Sequence, residues 1–144
     1  MGGYGAVLYS LKHGDIFSAC AGLSSGIVTD DEIPPIPDDM WDTYYAPLFG
    51  KAKGKDRLQL DNWKSNNTLS LIQQGKSKDL TTVKWYFDIG DDDSLYKGNM
   101  AIHGLMSDKG VPHEFRMRDG AHTWNYWRTG LGDALRFIGR NLKH

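Results

Sequence analysis

The alternation of residue patterns over residues 83–142 constrains the fold more than any other feature of this chain. Val83-Lys84-Trp85-Tyr86-Phe87-Asp88-Ile89 is rich in β-branched and aromatic side chains and ends at Gly90, which is the composition and the stop of a strand. Leu95 to Lys109 then carries a helix pattern, with Met100, Leu105 and Met106 on or near one face and Gly110 as its stop. His113 to Met117 alternates and predicts another strand. Trp124 to Leu142 predicts a long amphipathic helix, although Gly130 and Gly132 weaken its first half. Strand, helix, strand, helix in that order is the signature of an α/β fold built on a parallel sheet.

The first part of the chain fits the same plan. Tyr4, Val7, Leu8 and Leu11 fall at the i, i+3, i+4, i+7 spacing of one helix face, so Tyr4 to His13 predicts a helix that Gly14 stops. Ile16 to Leu23 is a short, mostly apolar run suited to a strand buried on both faces. Residues 26–60 change character. Pro34, Pro35 and Pro37 break regular structure, acids cluster at Asp30-Asp31-Glu32 and Asp38-Asp39, and Met40 to Phe49 holds several aromatics. This stretch predicts an insertion or lid-like excursion with one short helix, followed by a further short helix over Asn67 to Gln74. The whole, 1–144, predicts a single domain without internal repeats.

Composition excludes several function classes. The net charge of -1 offers no electrostatic case for nucleic acid or an anionic membrane. The basic stretch Gly50-Lys51-Ala52-Lys53-Gly54-Lys55 reads as a solvated loop. It fails as a phosphate loop, since Asp56 follows the lysine where Ser or Thr is needed. The one cysteine, Cys20, excludes an internal disulfide and a multi-cysteine metal site, and its apolar setting predicts a buried thiol. No apolar stretch approaches the ~20 residues of a membrane helix. The sequence assigns no compartment.

Chemistry-bearing residues gather where the predicted strands end. Gly90-Asp91-Asp92-Asp93-Ser94-Leu95 follows one strand, and Asp119-Gly120-Ala121-His122-Thr123-Trp124 follows the next. Loops at strand carboxyl ends are where open parallel sheets place reactive groups. An acid on one and a histidine on the other can pair, the carboxylate fixing the imidazole tautomer while the ring takes a proton from a serine hydroxyl. Spacing alone leaves Asp91, Asp92 and Asp93 as candidates for the acid. It also leaves His122 open to a plainer role as a loop histidine beside the last helix. Asp88, at the strand end, reads as structural; His13, His103, His113 and His144 receive no role. Met1-Gly2-Gly3-Tyr4-Gly5-Ala6 reads like the second half of a G-x-S-x-G strand-to-helix turn, with its serine expected one position before Met1. Gly22-Leu23-Ser24-Ser25-Gly26 also fits that pattern literally, and Ser24 would complete a triad within the chain. Acids and prolines rather than a helix follow it, however.

With Met1-Gly2-Gly3-Tyr4-Gly5, Gly90 through Leu95, and Gly120-Ala121-His122-Thr123-Trp124 with Tyr126-Trp127, the chain resembles the esterase family of α/β-hydrolases. That family includes esterase D-like S-formylglutathione hydrolases, feruloyl and acetyl-xylan esterases, tributyrin esterases and mycolyltransferases. The resemblance implies a partial α/β-hydrolase fold: about three parallel strands with flanking helices, the C-terminal half of the family's domain without its N-terminal strands. It implies Asp93 as triad acid, chosen for its place before Ser94-Leu95, and His122 as base. The nucleophile is then expected before Met1, whose backbone N–H matches one oxyanion-hole donor. It implies a small ester substrate, short-chain or carbohydrate-linked, and no metal or organic cofactor. A three-stranded piece of a larger sheet leaves an edge uncovered, so a partner is expected: the missing half or another copy of the chain.

Overall fold

A computed structural model describes residues 1–142; His144 lies outside the described residues. Three parallel strands, β1 (Ala19–Leu23), β2 (Lys84–Gly90) and β3 (His113–Arg118), form one sheet in the order β1-β2-β3. Cys20 pairs with Trp85, and Asp88 lies level with Leu23 on one side and Arg116 on the other. β2 is central, and every residue of it after Lys84 is buried. Its alternate side chains therefore meet two different layers. Trp85 and Phe87 pack with Val7 of α1 (Gly2–Lys12), Ile72 of α2 (Thr68–Gln74), and Ile102 and Met106 of α3 (Tyr96–Asp108). Tyr86 packs on the opposite face with Ala134 and Phe137 of α4 (Trp124–Asn141). Each such large side chain contributes on the order of 2 kcal/mol by leaving water.

Expectations for β1 and α3 need correction. β1 starts at Ala19, not Ile16. Residues 14–17 instead turn the chain back from α1, with the Ile16 and Phe17 amides both donating to the His13 carbonyl. Ile16 is 70% and Phe17 41% exposed. β1 is also an edge strand. Cys20 and Gly22 are buried while Ala19, Ala21 and Leu23 are half-buried, so only one face is fully covered. Within α3 the buried stripe is Gly98, Asn99, Ile102 and Met106, and Met100 points outward. The stripe is set by Gly98, where an added Cβ would lie 1.9 Å from the Ile27 carbonyl oxygen. Only a bare backbone lets α3 approach the loop after β1 so closely.

The stretch 26–60 has more structure than one short helix. It holds helical turns at Asp30–Glu32, Asp38–Met40, Trp41–Tyr45 (π-wound), Ala46–Phe49 and Gly54–Gln59, leading into Asp61–Asn66. These close a core of their own from Ile33, Trp41, Phe49 and Trp63. Its pin is Arg57, which is fully buried. The guanidinium donates to the carbonyls of Ala52 (3.1 Å) and Ile36 (2.5 Å), meets Asp38 at 2.6 Å, and lies over the Trp41 ring at 4.8 Å. Five donors in a planar fork suit a site where several carbonyls converge. Lys51, Lys53 and Lys55 beside it are exposed, as the sequence predicts. Cys20 is buried, and that burial pushes its thiol up to about 11 against the opposing hydrogen bond with Ser10. No described helix is long and apolar enough to cross a membrane. Because Arg57 is itself fully buried and gathers several carbonyls and Asp38, Arg57→Ala is expected to lower the unfolding free energy by about 3 kcal/mol. Urea denaturation should show that loss, and Arg57→Lys should recover little of it.

Candidate active site

β2 and β3 end at the same level, and the loops beyond them are stitched together through their backbones. The Asp91 amide donates to the Arg118 carbonyl at 3.0 Å, and the Asp92 amide to the Gly120 carbonyl at 3.0 Å. In return the Gly120 amide donates to Asp91 Oδ1 at 3.0 Å. The approach is close enough that a Cβ at Gly90 would stand 2.0 Å from the Gly120 oxygen.

This stitching brings Asp93 and His122 into contact. Asp93 is fully buried. Its Oδ1 accepts the Leu95 amide at 3.0 Å, and its Oδ2 meets His122 Nδ1 at 2.9 Å. A carboxylate accepts, so the shared proton sits on Nδ1, and in the neutral tautomer this leaves the lone pair on Nε2. The His122 side chain is 43% exposed. Trp127 stands perpendicular to it, with ring centroids 4.8 Å apart. The indole N–H of Trp127 donates to Ser24 Oγ at 2.9 Å. Ser24 lies just past β1, is 3% exposed, and adopts φ +44°. Asp91 and Asp92 stay at the surface.

Two cavities meet at this point. One of about 390 Å³ is lined by Tyr4, Val28, Tyr44, Leu48, Trp63 and Leu95 among others. The other, of about 380 Å³, is lined by Gly2, Leu23, Ser24, Trp124, Trp127 and Leu131. Met1 and His122 line both. Met1 is the N-cap of α1, and no side chain caps that end. The first amides of α1, and the positive end of its dipole, are therefore unspent beside the imidazole.

Comparison with known proteins accords with this geometry. Residues 1–138 match the model of the Esterase family, described as "Putative esterase". The chain belongs to that family. It is 25% identical over 148 aligned residues to an acetyl esterase of Caldicellulosiruptor saccharolyticus, covering 97% of this chain and 52% of the relative. Among solved structures, a ferulic acid esterase is 29% identical with a TM-score of 0.73, over 99% of this chain and 49% of that one. An S-formylglutathione hydrolase from Staphylococcus aureus shares the fold at TM-score 0.72 and 21% identity, over 96% and 51%. The chain thus spans about half the length of the relatives it matches. Its three parallel strands with flanking helices are a part of the α/β-hydrolase fold.

Beneath Asp93 and His122 sits a polar hub around Asp88, a residue that the sequence marks only as structural. Buried Asp88 accepts the hydroxyls of Tyr86 (2.8 Å) and Tyr126 (2.5 Å) and pairs with Arg118 at 2.6 Å. Arg118 continues to Asp133 at 2.7 Å. The hub locks the end of β2 to β3 and α4, one step below the stitched loops. His103 and His113, given no partner from sequence, share a hydrogen bond of 2.8 Å on the far end of the sheet. The carboxylates of Asp91, Asp92 and Asp119 lie within 4.8 Å of one another, but all three are exposed and Asp91 is already spent on Gly120.

Burial first, and then the Asp88 carboxylate, push the Tyr86 phenol up to about 12, and Tyr126 is raised further by the same causes. The folded chain therefore holds these protons more tightly than the unfolded chain, whose phenols titrate near ~10. Their contribution is complete below pH ~10 and is lost as pH rises toward ~12. Urea denaturation across that range is expected to show stability falling with pH, and the Tyr86→Phe, Tyr126→Phe double variant should flatten the fall.

Proposed function

We propose that the chain carries the acid–base half of a serine esterase site that acts through an acyl-enzyme. The observation behind this reading is the buried Asp93 on His122 Nδ1, with Nε2 free beside the uncapped N-terminus of α1. In this reading a serine sits at that helix N-terminus, in the position that would precede Met1. His122 Nε2 removes its hydroxyl proton as its oxygen attacks the ester carbonyl carbon. The carbonyl π pair moves onto oxygen, where helix amides, the Met1 N–H among them, stabilise the charge. Collapse breaks the bond to the alcohol, which leaves with the proton from His122. Water then repeats the sequence on the acyl-serine and releases the acid. Asp93 stabilises the imidazolium at each proton transfer and stays ionised.

The substrate is a small uncharged ester, with short-chain or carbohydrate-linked acyl groups as the leading class. Among the described residues no Asp, Glu, Lys or Arg lines the larger cavity, so an ionised acyl group would be desolvated there without compensation. The relatives' names, acetyl esterase and ferulic acid esterase, accord with this class. The free edge of β1, together with exposed Ile16 and Phe17 just before it in the chain and exposed Leu131 and Leu135 on α4, supports pairing with a further strand. That strand belongs to the rest of the domain or to another copy.

Intact mass after fluorophosphonate treatment tests the placement of the serine. The 16.2 kDa chain alone should stay unlabelled, and a label mapping to Ser24 would overturn that placement. Where the serine is supplied and esters turn over, Asp93→Asn should lower kcat by about 10⁴ with KM little changed. A kcat within tenfold of the parent would remove Asp93 from the reaction. Light scattering on the chain alone is expected to give a mass above 16.2 kDa; a monodisperse monomer would count against the need for a strand partner.

A further inference from the structure

We infer that Ser24 and Trp127 form a brace that sets the plane of the His122 ring, making both positioning residues of the site. The inference rests on the reading of His122 as a base. A single hydrogen bond at Nδ1 holds one corner of the imidazole and leaves the ring free to pivot about it. The ring is nearly half exposed, so packing does not hold its outer side. What meets it there is Trp127, perpendicular at 4.8 Å. A partly exposed indole is itself mobile unless tied, and its tie is the 2.9 Å hydrogen bond from Nε1 to Ser24 Oγ. Trp124 packs edgewise on Trp127 at 5.2 Å but is itself exposed, and adds little constraint.

Ser24 bears a strained backbone to make that bond. It is the only non-glycine with positive φ among the described residues. Such a conformation persists only where neighbours over-determine it. Here the Ser24 amide donates to the Asp88 carbonyl at 2.8 Å, and the next carbonyl, of Ser25, accepts Asn99 Nδ2 at 2.9 Å. The chain is clamped on both sides of the kink. Glycine would adopt this φ without strain but has no hydroxyl. The pattern Gly22-Leu23-Ser24-Ser25-Gly26, which on sequence resembles a nucleophile turn, thus acquires another use. Ser24 Oγ is committed as an acceptor to Trp127, and the contacts run from the end of β1 through Trp127 and His122 to Asp93 past β2.

Ring nitrogen and proton NMR of His122 tests the brace in the chain itself, with Ser24→Gly, Trp127→Phe and the double variant. The parent should show one set of ring signals with the proton on Nδ1. Each single variant should broaden or split those signals and reveal the second tautomer. The double variant should do no more than either, since both singles cut the same bond. Ser24→Gly should melt no lower than the parent because it relieves the backbone. His122 signals unchanged in both singles would overturn the brace. So would a lowered melting temperature for Ser24→Gly with unchanged ring signals, which would make Ser24 structural only. Where turnover can be measured, loss of ring order should lower kcat on the order of tenfold or more with KM nearly constant. Full turnover by His122→Gln would refute the base reading and leave the NMR result standing.

Discussion

The close approach of the backbone at Gly90 to that at Gly120 is the constraint on which the candidate site depends. Parallel strands bring their carboxyl ends to one level but do not bring their loops together. Here the absence of a side chain at Gly90 lets the two loops touch, and three backbone amides then stitch them. Once that is done, Asp93 is buried with the Leu95 amide and His122 as its donors. Taking a carboxylate out of water costs several kcal/mol unless it is paired. Departure of His122 would leave that cost partly uncompensated, so the burial of Asp93 itself holds the histidine in place. The Asp88 hub below makes the same floor stiff, since one buried carboxylate gathers groups from β2, β3 and α4.

The stretch 26–60 stands apart from this floor both in packing and in what it contributes. It has a core of its own around Trp41 and Arg57, and it is tied to the main body through Ile27, which joins the main core, through Asp30, which accepts from Asn67 at 2.9 Å, and through Phe49 against Tyr4. Its residues Tyr44 and Leu48 help wall the larger cavity. A wall on a separately packed unit can change shape without disturbing Asp93 and His122.

Much of this was legible in the sequence, for identifiable reasons. β2, α3, β3 and α4 announce themselves through composition, pattern and glycine stops, although burial along the short β3 does not alternate. That an acid and His122 could meet was legible because both sit on loops at strand ends, but spacing left Asp91, Asp92 and Asp93 open and only the family resemblance singled out Asp93, which the structure places on His122. What escaped depends on long-range geometry. Ile16 and Phe17 read as strand because they are apolar, but a turn after α1 consumes them. Arg57 reads as one more basic residue beside a lysine run. Its burial follows from carbonyls at Ile33, Pro34 and Ile36 converging from some twenty residues away, which no local pattern records. Met100 has the right spacing for the core, yet Gly98 rotates the buried stripe of α3 away from it. The strain at Ser24 is likewise invisible in the letters, because Gly-Leu-Ser-Ser-Gly fits both a nucleophile turn and a kinked strand exit.

Leu95 donates to Asp93 and Trp127 stands against His122, while Ser24 reaches the pair only through Trp127. The orientation of the pair is therefore local to residues 24–127. In the proposed reading the object the pair acts on is a hydroxyl at the head of α1, and this has a physical consequence. General-base catalysis needs the lone pair of Nε2 aimed before the nucleophile arrives, since reorienting an imidazole in the transition state would forfeit much of the benefit of proximity. A pair aimed by its own floor, with a strained serine and an anchored indole on its flank, meets that need. Strain at Ser24 would persist for this reason, because relaxing it to glycine would stabilise the chain while releasing the group that the site most needs held.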